Sequence, residues 1–181
     1  MILDVRERIL QQLQACIATI RPGAVFPLPA GKTHRPITTD LGGRAYNKAR
    51  ALEAYDSSEL PCVEILTNAG TADSIRETAD DDLYLASLKV QLFGFVKGDD
   101  AGDGKEAPVR AVLNALRSDL IIAVEAFPFW TGTDWPEPIT RSAGNMATVL
   151  ESVYTEPAIS SPDSYVVIDY SIMYCFNRFD P

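Results

Sequence analysis

The feature that most constrains the fold is an apolar run near the end of the printed chain, residues 164–181. Residues 165–176 are Val, Ile, Tyr, Met and Phe apart from Asp169, Ser171 and Cys175. β-Branched and aromatic residues at this density favour a strand over a helix. Asp169 and Ser171 fall on one face, so the run predicts a central or near-central strand whose other face lies on the core. That core face has six members: Val166, Ile168, Tyr170, Ile172, Tyr174 and Phe176.

Two segments have the apolar period of an amphipathic helix. In residues 4–20 the apolar side chains recur at steps of three and four, and polar side chains occupy the other side. A second helix starts at Pro108, a residue favoured in the first helical turn, and either continues towards Ala126 or breaks near Ser118 and Asp119. Each apolar stripe requires a sheet or another helix to cover it. The second stripe has five members: Val109, Val112, Leu113, Leu116 and Leu120.

The remaining strand signals complete the predicted fold. Residues 24–28 are a candidate short strand, held to a sheet edge by Pro27 and Pro29. Together with the final strand, the longer segments give the order α-β-β-α-β-β. This order predicts an α+β fold in which two helices pack on one face of a mainly antiparallel sheet of about four strands, with long loops. The longer segments, rich in strand-forming residues, are three: 61–67, 84–97 and 147–154.

Length and loop content predict the domain organisation. A chain of 181 residues suits a single α+β domain spanning 1–181, with residues 30–60 as a long loop or hairpin insertion within it. The insertion contains the one basic stretch of an acidic chain, residues 32–50, and Asp40 is the single acid within that stretch. A loop of this length either contacts a partner or is a solvated excursion, and the sequence leaves both open. The basic residues of the stretch are five: Lys32, Arg35, Arg44, Lys48 and Arg50.

Overall charge and composition argue against several classes of function. A net charge of -9 disfavours a nonspecific grip on nucleic-acid backbone, which requires clustered Lys and Arg. No apolar run approaches the roughly 18 residues of a membrane span, and the N-terminus lacks the order of a secretion signal. The cysteines are odd in number and far apart, and are expected to be reduced thiols of a cytosolic protein: Cys16, Cys62 and Cys175.

Motifs for catalysis and for cofactors are missing from the sequence. With a single histidine, His34, a His-based metal cluster is unavailable within one chain. Residues 99–110 fail as a calcium loop because Ala101 and Arg110 stand where oxygen ligands are needed. No phosphate-binding loop is present, although a carboxylate pair for glycoside chemistry stays open because two acids can meet anywhere in a fold. By elimination, the sequence predicts a binding or structural protein, not an enzyme, with no catalytic residue, metal or cofactor.

Four features in sequence order resemble one known family, the tail terminator (tail completion, or minor tail) proteins of long-tailed bacteriophages. The first two are the opening helix, 5–20, and the strand entry Leu60-Pro61-Cys62-Val63-Glu64-Ile65. The third is a long strand followed directly by the helix at 107–117. The last is the closing run, 166–174, which is followed by Asp180-Pro181. Together these features span nearly the whole chain.

The resemblance implies a structural virion protein rather than an enzyme. A member of this family is a small α/β subunit that closes into a hexameric ring on the end of the tail tube. The ring stops tube polymerisation and joins the tail to the head or neck. The implied partners are further copies of the chain, the tail tube protein, and a head-tail connector or neck protein. The implied location is the virion tail near the neck, after synthesis in the host cytoplasm.

Two sets of residues are candidates for this role. An acidic lumen formed by Asp80, Asp81 and Asp82 would let DNA pass only as cargo, without specific binding, because like charge disfavours backbone contact. The alternative for the two tryptophans is that they cap the core beneath their loop. The candidate subunit or tube contacts are six: Arg35, Arg44, Lys48, Arg50, Trp130 and Trp135.

Two other functions remain open at this stage. A head-completion or neck connector protein of the same virion has a similar size and build. A protein of a different class, a small-ligand-binding or enzymatic α+β domain, would instead enclose a pocket under the sheet, lined by some of the seven Tyr and two Trp residues. A ring favours the virion functions, whereas a stable monomer or dimer with a deep apolar cavity favours the pocket.

Overall fold

The computed structural model describes residues 5–28, 31–47, 55–67, 74–77, 83–97, 106–130, 146–156 and 163–177. Within these ranges the chain forms two helices and six strands. The helices are α1 (Val5–Ala18) and α2 (Glu106–Ala126). The strands are β1 (Ala45–Tyr46), β2 (Cys62–Thr67), β3 (Ser74–Glu77), β4 (Leu83–Lys97), β5 (Met146–Glu156) and β6 (Asp163–Asn177). The fold is α+β, as the sequence predicts.

The strands form one sheet in the order β1-β2-β4-β6-β5, and β3 pairs with β4. Its longest ladder is the antiparallel pair of β4 and β6, in which all 15 residues of each strand are paired. β6 lies between β4 and β5, so the prediction of a near-central final strand is confirmed. β2 and β3 share the remaining side of β4: β2 pairs with residues 90–95 and β3 with residues 84–87.

The sheet is mixed because β1 pairs in parallel with β2. β1 lies inside the segment predicted to be a long loop or hairpin, and it is extended by a hydrogen bond of 3.0 Å from the N–H of Val63 to the carbonyl of Arg44. Strands of two and four residues, such as β1 and β3, are too short to show a recognisable alternation. The four longer strands are the ones that the sequence predicts.

Residues 24–28 form no strand, contrary to the prediction. The N–H of Phe26 donates a hydrogen bond of 3.0 Å to Nε2 of His34, and the ring of Phe26 is buried in the core. A side-chain hydrogen bond and one buried ring therefore hold this segment in place of a strand ladder. Pro27, which has no N–H to donate, is consistent with this arrangement.

Both helices bury their apolar stripes against the same core. α2 continues past Asp119 to Ala126 without the break that the sequence left open. Val112, which was predicted to belong to the buried stripe, is instead 49% exposed. Residues 35–39 cover that side of α2 at Asp119, two turns further on, and leave Val112 in solvent. The buried residues of the α1 stripe include Ile9, Leu13, Cys16, Ile17 and Ile20.

One buried hydroxyl within this core has no hydrogen-bond partner. Tyr170 on β6 is 1% exposed, and no described residue bonds its Oη atom. Burial, and to a lesser extent the charge of Glu125, raises the pKa of Tyr170 above the usual value of about 10. The folded protein therefore keeps this phenol neutral, while the unfolded chain ionises it above about pH 10. It follows that stability associated with Tyr170 is present below pH 10 and is lost as the pH rises further.

Replacing Tyr170 with Phe is expected to leave the free energy of unfolding unchanged, or to raise it by up to about 1 kcal/mol, because an unpaired buried hydroxyl is removed. The advantage of the variant over the wild type should grow above about pH 10. Urea unfolding at neutral and alkaline pH measures both effects. The matched control is Tyr55→Phe: Tyr55 donates its hydroxyl proton to the buried carboxylate of Glu64, so this variant should lose about 1–3 kcal/mol. A large loss for Tyr170→Phe would contradict the assignment.

Candidate interaction surface

The face of the sheet opposite the helices, called the open face below, is the most distinctive surface of the described chain. Successive side chains of a strand alternate between faces, so the residues of β4 and β6 that do not enter the core project here. Gln91 pairs with Asp169 across the β4–β6 ladder, and Asp169 pairs with Ser152 on β5. The open face therefore places polar side chains from three strands in one row.

A hydrogen-bonded polar network occupies the middle of the open face. Gln91 Nε2 donates to Asp169 Oδ1 at 2.7 Å, and the hydroxyl of Ser152 donates to the same carboxylate. The hydroxyl of Ser171 donates to Glu151, whose other oxygen lies 3.4 Å from Nζ of Lys89. Asp169 and Ser171 thus lie away from the core, as the period of the final strand predicts.

The network fixes the positions of two carboxylates at the sheet surface. Glu151 and Asp169 each accept a hydrogen bond from a serine hydroxyl, and they border a small cavity of about 240 Å³. No group of three His, Cys, Asp or Glu residues among the described ranges is placed to hold a metal ion. Carboxylates that already accept hydroxyl donors present fixed negative charge and fixed acceptors to whatever approaches the sheet.

Aromatic side chains gather at one end of the sheet, beside this network. The ring centroids of Tyr55 and Phe95 lie 5.3 Å apart, and Phe93 stacks against Phe95 at 6.4 Å. Tyr46 on β1 stacks against Tyr55 at 6.2 Å. Aromatic rings of this kind contribute large contact areas at interfaces.

A second feature adjoins the open face at strand β5, which ends the sheet. Four of its side chains, Val149, Leu150, Val153 and Tyr154, are exposed, and they are called the β5 patch below. The patch reaches both faces of the sheet because successive side chains alternate. The register shift between Leu150 and Ser152 decides that Val149 shares a face with Tyr154, and Leu150 with Val153. Strand alternation alone would have placed the four residues differently.

Arg35, a predicted subunit or tube contact, is placed as an anchor within the fold. Its Nη2 atom lies 2.7 Å from Oδ1 of Asp119 and donates to the carbonyl of Ala115 at 3.0 Å. Asp119 is fully buried, and its other oxygen accepts the N–H groups of Thr38 at 3.2 Å and Thr39 at 2.8 Å. A single carboxylate in the middle of α2 therefore holds residues 35–39 against the helix.

Arg44 has a similar intramolecular role. Its Nε atom donates to the carbonyl of Pro61 at 2.9 Å, and Nη2 donates to the carbonyl of Asp40 at 3.3 Å. These bonds join the basic stretch to the residues that precede β2.

Trp130 is partly buried and packs against the core, which agrees with the alternative that it caps the core. The other predicted site residues lie outside the described ranges: Lys48, Arg50, Trp135, Asp80, Asp81 and Asp82.

A cavity of about 580 Å³ lies where Leu28 and residues 32–35 meet the end of α2 and the start of β5. It does not lie under the sheet, where the ligand-binding alternative expected a pocket. Both ring nitrogens of His34 are already bonded, Nε2 by the N–H of Phe26 and Nδ1 by the carbonyl of Arg35. Lys32 and Glu125 contribute opposite charges to its lining. The imidazole of His34 is thus engaged within the protein, whereas Lys32 and Glu125 place charged groups at the wall of the cavity.

The described cysteines are reduced, and two of them have environments that disfavour the thiolate. All three are free; Cys16 and Cys62 are buried, and Cys175 is half-buried. Burial raises the pKa of the Cys16 thiol and, less strongly, that of Cys175, which disfavours the reactive thiolate. Among the helices that the structure describes, none has the length and apolar character needed to cross a membrane.

Comparison with known proteins provides no family assignment. No model of a known protein family matches the chain, and no curated protein matches it significantly.

Proposed function

We propose that this chain is a structural subunit that forms a ring on the end of a long-tailed phage's tail tube, where it stops tube polymerisation and joins the tail to the head or neck. The observation that carries the proposal is the two-sided sheet. Its helix face is a closed core, whereas the open face presents a polar network and the half-buried rings of Phe93 and Phe95. The β5 patch presents exposed apolar side chains. A ring subunit needs unlike surfaces of this kind, because a head-to-tail contact joins two different patches.

The basic stretch, which is held against the rest of the fold, also supports the role of a ring subunit. Asp119 and Arg44 hold its described part against α2 and β2 through several hydrogen bonds. A segment held at several points keeps its exposed side chains in a defined position, so that little conformational entropy is lost when a partner binds. Lys32, at its start, is exposed. The segment would thus offer a preformed contact to the tube or to a neighbouring subunit.

Net charge is consistent with a channel for DNA. A ring of subunits that each carry a formal charge of -9 repels the phosphate backbone, so DNA would pass without being retained. This part of the proposal extends to Asp80, Asp81 and Asp82, the candidate lumen residues. A head-completion or neck connector would share these properties, and it is the alternative within the same virion.

The ligand-binding alternative has one observation in its favour, the 580 Å³ cavity at the end of α2. Its volume falls within the range of small-molecule sites, about 300–1,000 Å³. Sites of that kind need a few polar groups that point at the ligand, whereas His34 and Arg35 are bonded within the chain. The ring is therefore the preferred function.

The purified protein is expected to form rings of about six subunits, with a mass of about 119 kDa from a 19.8 kDa chain. Light scattering across a concentration series, with negative-stain images of the same samples, measures the mass and the shape. Where the free protein stays monomeric, purified tail tubes are added, and ring-shaped caps on the tube ends are expected together with an end to tube elongation.

The control for this experiment is a monomeric globular protein of the same size and net charge, which should leave the tubes unchanged. A compact dimer that ignores the tubes would contradict the proposal and would favour a function of the cavity. Rings that bind isolated head-tail connectors but not tubes would favour the neck alternative.

A further inference from the structure

β5 combines exposed apolar side chains with a strand edge that is unpaired among the described residues, two features that favour contact with another strand. Its side chains Val149 and Tyr154 are 46% and 54% exposed, and Leu150 and Val153 are 41% and 36% exposed. Along its outer side β5 pairs with no other strand in the part of the chain that the structure describes. An edge strand with exposed apolar side chains is a template for pairing with a further strand.

β5 has only part of the usual protection of an exposed edge. Natural edge strands are blunted by Lys, Pro or an inward-pointing charge, whereas the eleven residues of β5 contain neither Lys nor Pro. Its register shift is a partial exception, since a bulge disturbs regular pairing. In β5, however, the shift places Leu150 and Val153 on one face and Val149 and Tyr154 on the other, so apolar contact area is available on both.

Charge permits a second copy of the chain as the partner at this edge. Two copies that each carry a formal charge of -9 repel each other, so they can associate only where the contact surface is locally neutral. Glu151 is the one charged residue between Val149 and Tyr154, and it lies 3.4 Å from Lys89 of the same chain. The β5 patch is therefore locally neutral and apolar within a strongly acidic protein.

β5 is also long enough to form a stable interface with a second copy. An edge of 11 residues is about 37 Å long at about 3.4 Å per residue. With side chains on both faces it offers a strip of several hundred Å², on the order of the 800 Å² per partner found in stable interfaces.

We propose that β5 is the subunit contact of the ring, pairing along its outer edge with a strand of a second copy. This inference rests on the proposed ring function. The contact is head-to-tail, because a closed ring requires two different surfaces on each copy. Main-chain hydrogen bonds supply part of the affinity, and burial of the β5 patch supplies the rest.

The test is the variant Val149→Lys, which places on the edge the residue that natural proteins use to block pairing. Its matched control is Val112→Lys on α2, since Val112 has a nearly equal exposure of 49%. The expected result is that the wild type and Val112→Lys form rings, while Val149→Lys stays monomeric at the same concentration. Circular dichroism and the midpoint of thermal unfolding verify that both variants fold.

Backbone hydrogen exchange of the wild type keeps the test independent of any variant. The β5 amides whose N–H groups point away from β6 should exchange at least about ten-fold more slowly in the ring than in the dilute monomer. Rings formed by Val149→Lys, or such amides that exchange equally fast in both states, would overturn the inference while leaving the ring function intact. A wild type that forms no ring, with or without tubes, would overturn both.

Discussion

Replacing Asp119 with Ala is expected to lower the free energy of unfolding by about 3 kcal/mol, one of the two largest effects predicted for this protein. The carboxylate is fully buried and accepts hydrogen bonds from Arg35, Thr38 and Thr39. Its removal leaves two backbone N–H groups without their acceptor. The guanidinium of Arg35 can turn to water because its side chain is 39% exposed, so most of the loss comes from the N–H groups and from the space left behind.

Urea unfolding of Asp119→Ala measures this loss, and hydrogen exchange shows where it acts. The amides of Thr38 and Thr39 should exchange much faster, since the segment they belong to is no longer held against α2. Glu125→Ala is the matched control: it removes an exposed acid from the same helix and should change stability by less than about 0.5 kcal/mol. Equal stability of Asp119→Ala and the wild type would show that residues 35–39 are held by other contacts.

Replacing Gly94 with Ala is expected to cost about 1–3 kcal/mol, because the core is already filled where α2 crosses β4. A Cβ atom at this position would lie 2.9 Å from Leu116 Cδ2, 2.9 Å from Val166 Cγ1 and 3.2 Å from Leu120 Cδ1. Real Cβ atoms essentially never lie within 3.0 Å of another heavy atom, so the side chains of Leu116 on α2 and Val166 on β6 must shift. The lower chain entropy of Ala in the unfolded state offsets only about 0.4–1 kcal/mol of this cost.

A double-mutant cycle separates overcrowding from other effects of the substitution. Leu116→Val removes one methylene at the position that the new Cβ would meet, so it should recover part of the stability lost in Gly94→Ala. On the wild-type background the same change should be destabilising, because it opens a cavity. Purely additive effects in the double variant, or a Gly94→Ala variant as stable as the wild type, would contradict the packing assigned to α2.

Whether a feature of the site can be predicted depends on how far apart in the sequence its interacting residues are. The open face follows from alternation in the final strand, where Asp169 and Ser171 depart from an otherwise apolar run. Asp119 is different: the sequence suggested only that α2 might end there. An acid three residues after Leu116 and directly before Leu120 lies beside the buried stripe, and that spacing is the signal that it has a buried partner. The identity of the partner, a segment 80 residues earlier, has no local signal.

Two of the predicted contact residues also interact with distant parts of the chain for which the sequence carries no local signal. Arg35 and Arg44 were selected because positive charge is concentrated in their segment, and charge counts do not reveal that Asp119 and the Pro61 carbonyl lie within bonding distance. The β5 patch was also missed, because Val149 and Leu150 are adjacent apolar residues and resemble part of a core strand. Their exposure follows from the position of β5 at the end of the sheet, and strand order is a property of the whole fold.

By itself, the sequence determined the α+β class, both helices, the four longer strands and the face of the final strand that enters the core. These features arise from periodic patterns over ten or so neighbouring residues, so they can be found without knowledge of the rest of the chain. Tertiary structure alone decided the parallel pairing of β1, the close crossing of α2 at Gly94, the anchoring of residues 35–39 by Asp119 and the exposure of β5. Each of these depends on which distant residues are brought together, and the packing of the complete chain selects those contacts.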